Sequence, residues 1–210
     1  MMTMIGIILH LNQYLATLVN HYGNWAYAIL FIVIFCETGL VVTPFLPGDS
    51  LLFAVGSLAA RGYLNIHLIF ILLMCAALLG DNVNYCIGRT VGEKLFRNEQ
   101  SKIFKKHYLD KTHAFYEKYG AKTIIIARFL PVIRTFSPFA AGMAKMTYRK
   151  FLSFSFLAAL LWVGLISYIS YWFGNIPVVQ QHFSLVILAI IIISLLPPFI
   201  ELFKAKPSKV

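Results

Sequence analysis

The feature that most constrains this chain is a set of three apolar stretches, each long enough to cross a lipid bilayer. They cover residues 64–87, 151–173 and 183–203. A transmembrane helix needs roughly 20 apolar residues to cross a hydrocarbon layer about 30 Å thick. Of the 210 residues, 60% are hydrophobic and only 12% are charged, too little polar surface for a water-facing exterior. We therefore predict an all-α polytopic membrane protein.

The basic residues concentrate in short loops beside these stretches. Residues 89–122 contain nine Lys or Arg residues against four acids, and residues 204–210 add three lysines. Loops rich in Lys and Arg lie on the cytoplasmic side of membrane proteins. The net charge of +10 thus indicates topology and not nucleic-acid binding. We predict that the 89–122 loop and the 204–210 tail are cytoplasmic, whereas the side of the N-terminus stays open.

The N-terminal segment and the cysteines carry less information. Residues 1–20 are apolar but short for a crossing, and they lack a basic region and a cleavage signal, so we expect a retained interfacial helix. The three cysteines lie in apolar stretches without CxxC spacing. We expect neither a disulfide nor a metal site, and no cofactor.

Two further apolar segments, residues 37–61 and 121–145, are interrupted by proline, glycine and charge. Proline removes a backbone donor and breaks a helix. Freed backbone groups at membrane depth persist only where protein or a wet cavity covers them. We therefore predict two re-entrant hairpins, each entering and leaving on one side of the membrane. The residues expected at the breaks are Pro44, Pro47 and Gly48 in the first hairpin, and Pro131 and Pro138 in the second.

The hairpins and the spans that follow them form an internal repeat. Phe-Ala-x-Gly ends at Gly56 in the first hairpin and at Gly142 in the second. Each glycine lies 32 residues before another, at Gly88 and Gly174. We assign repeat one to 21–88 and repeat two to 119–174 within one membrane domain, 21–203, which also contains a C-terminal transmembrane helix. One hairpin plus one span crosses the membrane once, so the copies form an inverted repeat.

Five charged residues are the most expensive to place in a membrane: Glu37, Asp49, Asp81, Arg128 and Arg134. An Asp or Arg near the centre of a membrane helix costs roughly 2.5–3.5 kcal/mol, so pairing or a wet cavity must reduce the sum. The arginines, as planar forks, suit a phosphate. A desolvated Glu37 or Asp49 can take up a proton and carry it. Asp81 and Asn84 either cap a helix break or line the same cavity.

A structural alternative assigns these charges to ion pairs that hold two halves of the protein together. Burying charge at helix breaks is a poor source of stability, because apolar replacements are often as stable. No HExxH, GxSxG, P-loop or dinucleotide motif is present in the sequence, so we do not expect an enzyme.

The same residues carry a resemblance to a known family. The matching runs are 35–39 (FCETG), 45–50 (FLPGDS), 80–81 (GD), 84–85 (NY), 88–89 (GR), 128–131 (RFLP) and 141–143 (AGM). The chain resembles the DedA family, which shares its core with the SNARE-associated Golgi (VTT-domain) membrane proteins, over about residues 15–200. The resemblance implies a bacterial inner-membrane protein with opposed re-entrant hairpins, associated with lipid-carrier recycling, proton motive force and envelope integrity. It places the family's required acids at Glu37 and Asp49, and its required arginines at Arg128 and Arg134.

Together these features predict a proton-coupled or proton-gated transporter or flippase of an anionic phospholipid or polyprenyl phosphate, such as undecaprenyl phosphate. Glu37 and Asp49 would couple protons, and Arg128 and Arg134 would bind phosphate. Two alternatives remain: a non-catalytic membrane organiser, and a small-solute or ion exchanger. The expected partners are membrane lipids and protons, and the sequence leaves open whether the chain forms a homo-oligomer.

Overall fold

The computed structural model describes residues 23–40, 48–96, 116, 119–176 and 179. These residues form α-helices and no β-strand, which confirms the all-α prediction for this part of the chain. The segments predicted at 1–20, 183–203 and 204–210 lie outside the described residues, as does most of the loop at 89–122. The helices are α1 (Asn24–Gly39), α2 (Gly48–Ala60), α3 (Ile66–Phe96), α4 (Lys122–Arg128), α5 (Pro131–Met143) and α6 (Tyr148–Gly174).

Two of the described helices, α3 and α6, are long and apolar enough to cross a bilayer, over Ile66–Val91 and Tyr148–Gly174. They coincide with the predicted stretches at 64–87 and 151–173. The side chain of Asn65 caps α3 by accepting hydrogen bonds from the backbone N–H groups of His67 and Leu68, at 3.0 and 3.2 Å. Both helices carry exposed Leu and Ile residues along their outer sides, as expected for contact with lipid.

The first interrupted segment consists of two helices, α1 and α2. Helix α1 ends at Gly39, and α2 begins at Gly48, one of the residues predicted at a break. Residues 41–47, which include Pro44 and Pro47, lie outside the described residues. The orientation of this segment as a re-entrant hairpin stays a prediction.

The second interrupted segment breaks between α4 and α5. Leu130 is extended, with φ −110° and ψ 108°, and Pro131 occupies the first turn of α5. This follows from proline chemistry, because Pro restricts the preceding residue to extended conformations and needs no N–H partner in a first turn. Pro138 lies inside α5, which corrects the prediction of a break there. The helix continues through Pro138 although an interior proline destabilises a helix by about 3 kcal/mol.

The described residues divide into two compact units, each of which contains a close helix contact through glycine. The first unit takes residues up to 31, 48–72 and those from 163 onward. Within it, α2 packs on α6. A Cβ added at Gly56 would lie 2.6 Å from the Ser167 carbonyl oxygen, and one at Gly174 would lie 2.7 Å from the Ser57 Cα.

The second unit takes residues 32–40 and the described residues between 73 and 162. Within it, α5 packs on α3. A Cβ added at Gly142 would lie 2.8 Å from the backbone nitrogen of Arg89, and one at Gly88 would lie 2.8 Å from the Phe139 carbonyl carbon. In each unit, therefore, the second helix of one interrupted segment contacts the long helix that follows the other. The pseudo-two-fold axis expected of an inverted repeat stays a prediction.

Candidate functional site

Four charged side chains of the second unit form two buried ion pairs. Arg128 donates from Nη1 to Oδ2 of Asp81 at 2.5 Å. Arg134 donates from Nη2 to Oε1 of Glu37. Each of the four residues is at most 5% exposed. Because removing two such charges from solvent is expensive, their pairing and neighbours decide what the cluster can do.

The break between α4 and α5 brings the two arginines to one place. Arg128 is the last residue of α4, and Arg134 lies in the first turns of α5. In a continuous helix, residues six apart point in directions about 120° apart. The non-helical Phe129 and Leu130 change the direction of the chain, so both guanidinium groups reach the same neighbour.

That neighbour is the indole ring of Trp162 in α6. The guanidinium carbon of Arg128 lies 5.0 Å from the ring centroid, and that of Arg134 lies 4.6 Å from it. Trp162 is 1% exposed, so both contacts are desolvated. A desolvated cation–π contact contributes about 2 kcal/mol. The ring therefore stabilises two positive charges that lie close together.

A close approach of α1 and α3 positions the two acids. A Cβ added at Gly80 would lie 2.9 Å from the backbone nitrogen of Gly39 and 3.0 Å from the Phe35 carbonyl oxygen. No residue larger than glycine fits at Gly80 unless the helices separate. Glu37 and Asp81 lie two and one residues from these contacts, and this close approach brings both acids into the cluster.

Polar side chains connect the helices around the ion pairs. Ser155 of α6 donates from Oγ to Oδ2 of Asp81 at 2.5 Å. Asn84 of α3 donates from Nδ2 to the carbonyl oxygens of Thr38 in α1 and Thr135 in α5, at 3.1 and 2.6 Å. Asn84 thus links three helices through two backbone carbonyls, which fixes the positions of the charged residues that flank it.

The guanidinium group of Arg128 has an unused edge, which is the edge formed by its Nε and Nη2 donors. Its Nε and Nη2 atoms are buried and have no hydrogen-bond partner in the part of the chain that the structure describes. The Oδ1 atom of Asn84 is in the same condition within that part. Buried donors without partners destabilise a protein by about 1–3 kcal/mol each. Such a group in a native structure needs an explanation, and binding of a ligand, an ion or a water is one.

The structure thus brings together five of the predicted residues: Glu37, Asp81, Asn84, Arg128 and Arg134. It pairs Arg128 with Asp81 of α3, and Arg134 with Glu37 of α1. Asp49 lies in the first turn of α2, in the first unit, and is partly buried. An acid is favourable there because of the helix dipole.

Sequence reasoning missed Trp162 and Ser155 as members of the site. Trp162 has the appearance of an ordinary aromatic residue of a span. Ser155 is one of several serines in the same span, and its spacing does not mark it out. The signal in both cases is tertiary, since only the fold brings them to Arg128 and Asp81.

Comparison with known proteins establishes the family. A family model described as the VTT domain matches residues 46–172. Protein DedA of Escherichia coli (strain K12) is 57% identical over 205 residues, which cover 97% of this chain and 94% of that protein. The chain belongs to the DedA family of VTT-domain membrane proteins.

Other DedA-family relatives extend the comparison. A membrane protein of Mycobacterium leprae (strain TN) is 45% identical over 181 residues, covering 85% of this chain and 81% of that protein. The inner membrane protein YqjA of Escherichia coli (strain K12) is 35% identical over 156 residues, covering 74% of this chain and 71% of that protein. No solved structure matches the chain. The family match confirms the resemblance found in the sequence and the assignment as a membrane protein.

Proposed function

We propose that this DedA-family protein is a transporter that moves an anionic lipid, of the phospholipid or polyprenyl phosphate class, across the bacterial inner membrane. The observation that carries the proposal is the unused edge of Arg128. Nε–H and Nη2–H lie on the same side of a guanidinium group and point in parallel. Two parallel donors of this kind match two oxygens of a phosphate. The edge is buried, so its natural ligand is one whose oxygens accept hydrogen bonds from both donors.

Protons would control access to this edge. In the resting cluster, Asp81 neutralises Arg128 and Glu37 neutralises Arg134. A proton taken up by either carboxylate removes a negative charge and leaves its arginine with a net attraction for a phosphate. Phosphate and carboxylate then compete for the same guanidinium, so lipid binding and carboxylate ionisation oppose each other. Proton uptake would favour lipid binding, and proton release would favour lipid release.

Trp162 supports such an exchange of partners. A cation–π contact does not depend on the ionisation of any acid. Both guanidinium groups would therefore keep one favourable contact while their carboxylates are protonated and before a phosphate binds. The barrier to exchange is lower than it would be in a purely apolar cavity.

A structural role is the second candidate, and one observation favours it. Both arginines form ion pairs with buried carboxylates, and the hydrogen bonds of Asn84 link three helices around them. In that case the protein would be a membrane organiser whose ion pairs hold it together. A small-solute or ion exchanger that uses the same cluster is a third candidate.

Reconstitution into liposomes tests the three candidates. Purified protein would be inserted into vesicles that contain a fluorescent polyprenyl phosphate, with and without a pH gradient, and the fraction of lipid accessible to an external quencher would be followed. We expect proton-dependent lipid movement that protein-free vesicles and the Arg128→Ala variant lack. Solute flux without lipid movement would favour the exchanger. No movement of either, with a folded protein, would contradict transport.

A further inference from the structure

An apolar groove lies on the outer side of the second interrupted segment, outside the charged cluster. It encloses a cavity of about 320 Å³, within the usual range for sites that bind small molecules. One face of α4 supplies Lys122, Thr123, Ile126 and Ala127, whose spacing of three and four residues places them on one side of a helix. Leu130 and Ile133 continue the groove past the break.

The groove is charged at one end and apolar along the rest of its length. Of the described residues that line it, Lys122 alone carries a charge, and it is the first residue of α4. Ile126 is 66% exposed, and Leu130 and Ile133 are both more than 40% exposed. A site with a cation at one end and an open apolar channel behind it complements an amphiphile that has an anionic head and a hydrocarbon chain.

The dimensions fit one leaflet of a bilayer. Helix α4 rises about 9 Å from Lys122 to Arg128, and Leu130 and Ile133 extend the groove past the break. Half of a bilayer's hydrocarbon core is about 15 Å thick. Lys122 closes the basic loop that we predict to be cytoplasmic, so a lipid of that leaflet would enter the groove with its head at Lys122.

We propose that this groove binds one anionic membrane lipid, with its headgroup at Lys122 and its chain along α4 toward the break at Phe129. Arg128 lies on the opposite, buried side of the same helix. The groove and the cluster therefore share α4 but face different surroundings. The inference builds on the proposed function, because the groove would bind the transported class of lipid beside the site that would bind its phosphate.

Photo-crosslinking tests the proposal on the full chain in vesicles. The probes are phosphatidic acid and phosphatidylcholine, each with a diazirine on the acyl chain, and peptide mapping locates the adducts. We expect phosphatidic acid adducts to concentrate in residues 123–133 and to exceed phosphatidylcholine adducts about fivefold, since one lysine near the surface contributes about 1 kcal/mol toward an anionic lipid.

Matched variants separate the groove from general lipid contact. Lys122→Gln should reduce the preference for phosphatidic acid to about one, whereas Lys150→Gln, which removes a lysine outside the groove, should leave it unchanged. Ile126→Trp should fill the groove and lower the adduct yield several-fold. Ile169→Trp places the same ring on an exposed position of α6 and should not change the yield.

Three results would overturn the proposal: equal adducts from both lipids, adducts spread evenly over the outer faces of α3 and α6, or crosslinks from the groove to a second copy of the chain. Lipid movement is measured separately in the same vesicles. If the protein moves no lipid but phosphatidic acid adducts still form in the groove, the result supports the groove and contradicts the proposed function. Failure of the groove and failure of the proposed function are therefore distinguishable.

Discussion

Arg128 pairs with Asp81, an acid of the long helix α3, and this pair has Ser155 as a third member on the same carboxylate oxygen. The sequence resemblance emphasises Glu37 and Asp49 as the required acids. The structure adds Asp81 to the residues that determine the charge state of the cluster. The partner of each arginine therefore defines which double variants separate a structural role from a transport role.

Arg128→Lys and Arg128→Ala should affect lipid and stability differently. Lysine keeps the charge but loses the planar fork. We expect Arg128→Lys to weaken phosphate binding by about 1.5–3 kcal/mol, or roughly tenfold to a hundredfold, with a small change in melting temperature. Arg128→Ala leaves Asp81 buried without its cation and should destabilise the protein by about 3–5 kcal/mol. Melting temperature and lipid flux are the measurements.

The matched double variants are Arg128→Ala with Asp81→Asn, and Arg134→Ala with Glu37→Gln. Each removes both charges of one pair, so much of the lost stability should return. Under the transport proposal, lipid flux should stay absent because the arginine that would bind the phosphate is gone. Recovery of flux together with stability would show that the arginines are structural.

The titratable carboxyl groups of Glu37 and Asp49 should be required for function. We expect Glu37→Gln and Asp49→Asn to abolish function while the protein still inserts and accumulates, because an amide keeps the shape and loses the titratable group. Complementation of a deletion strain across a range of pH values, with immunoblots for accumulation, is the measurement. Normal growth of either variant at every pH would remove the proton role from that residue.

Asp81→Asn should act differently from these two variants. If Asp81 competes with the phosphate for Arg128, its neutral amide mimics the protonated acid. Phosphate-lipid binding by this variant should then lose most of its dependence on pH and stay at the level that the parent protein reaches at low pH. Binding that remains as pH-dependent as in the parent protein would assign the proton to another acid.

How far the sequence predicts this protein is visible in the charged cluster. Apolar length alone locates α3 and α6, and proline chemistry locates the break before Pro131. The cost of burying charge draws attention to Glu37, Asp81, Arg128 and Arg134, which the structure places in buried ion pairs. Sequence spacing could not give the partner of each arginine, because that depends on the close approach of Gly39 and Gly80, which sets the register of two helices.

Pro138 and Trp162 are two further cases in which the local sequence does not predict the structure. Proline has a strong local preference against helix interiors, yet α5 continues through Pro138. Trp162 has no local signal of function, and its contact with two guanidinium groups exists only in the folded chain. Local chemistry predicts where elements begin and end better than which side chains meet.

Trp162 provides a prediction that separates ring electrostatics from packing. We expect Trp162→Phe to keep most of the stability and to weaken lipid binding several-fold, since a phenyl face attracts cations less strongly than an indole face. Trp162→Leu removes the aromatic face and should lose nearly all flux, with a loss of stability of about 2–4 kcal/mol from the smaller side chain. Equal flux in the Phe and Leu variants would show that the ring only fills space.

The glycine contacts give the sharpest test of the fold itself. A Cβ at Gly142 would lie 2.8 Å from the backbone nitrogen of Arg89 and would overlap the Tyr85 carbonyl oxygen, and backbone atoms cannot move aside as a flexible side chain can. Gly142→Ala should therefore separate α5 from α3 and destabilise the protein by about 1–3 kcal/mol, the usual range for overpacking. Gly164→Ala is the matched control, because the one contact that a Cβ there makes with the described residues is the ring of Phe70, at 3.4 Å. That change should be neutral or should stabilise α6 by up to about 1 kcal/mol, the difference in helix propensity between the two residues.

Thermal unfolding of both variants in the same detergent is the measurement. If Gly142→Ala is no less stable than Gly164→Ala, then α5 and α3 do not pack through Gly142, and the arrangement that positions Arg134 next to Glu37 would have to be revised.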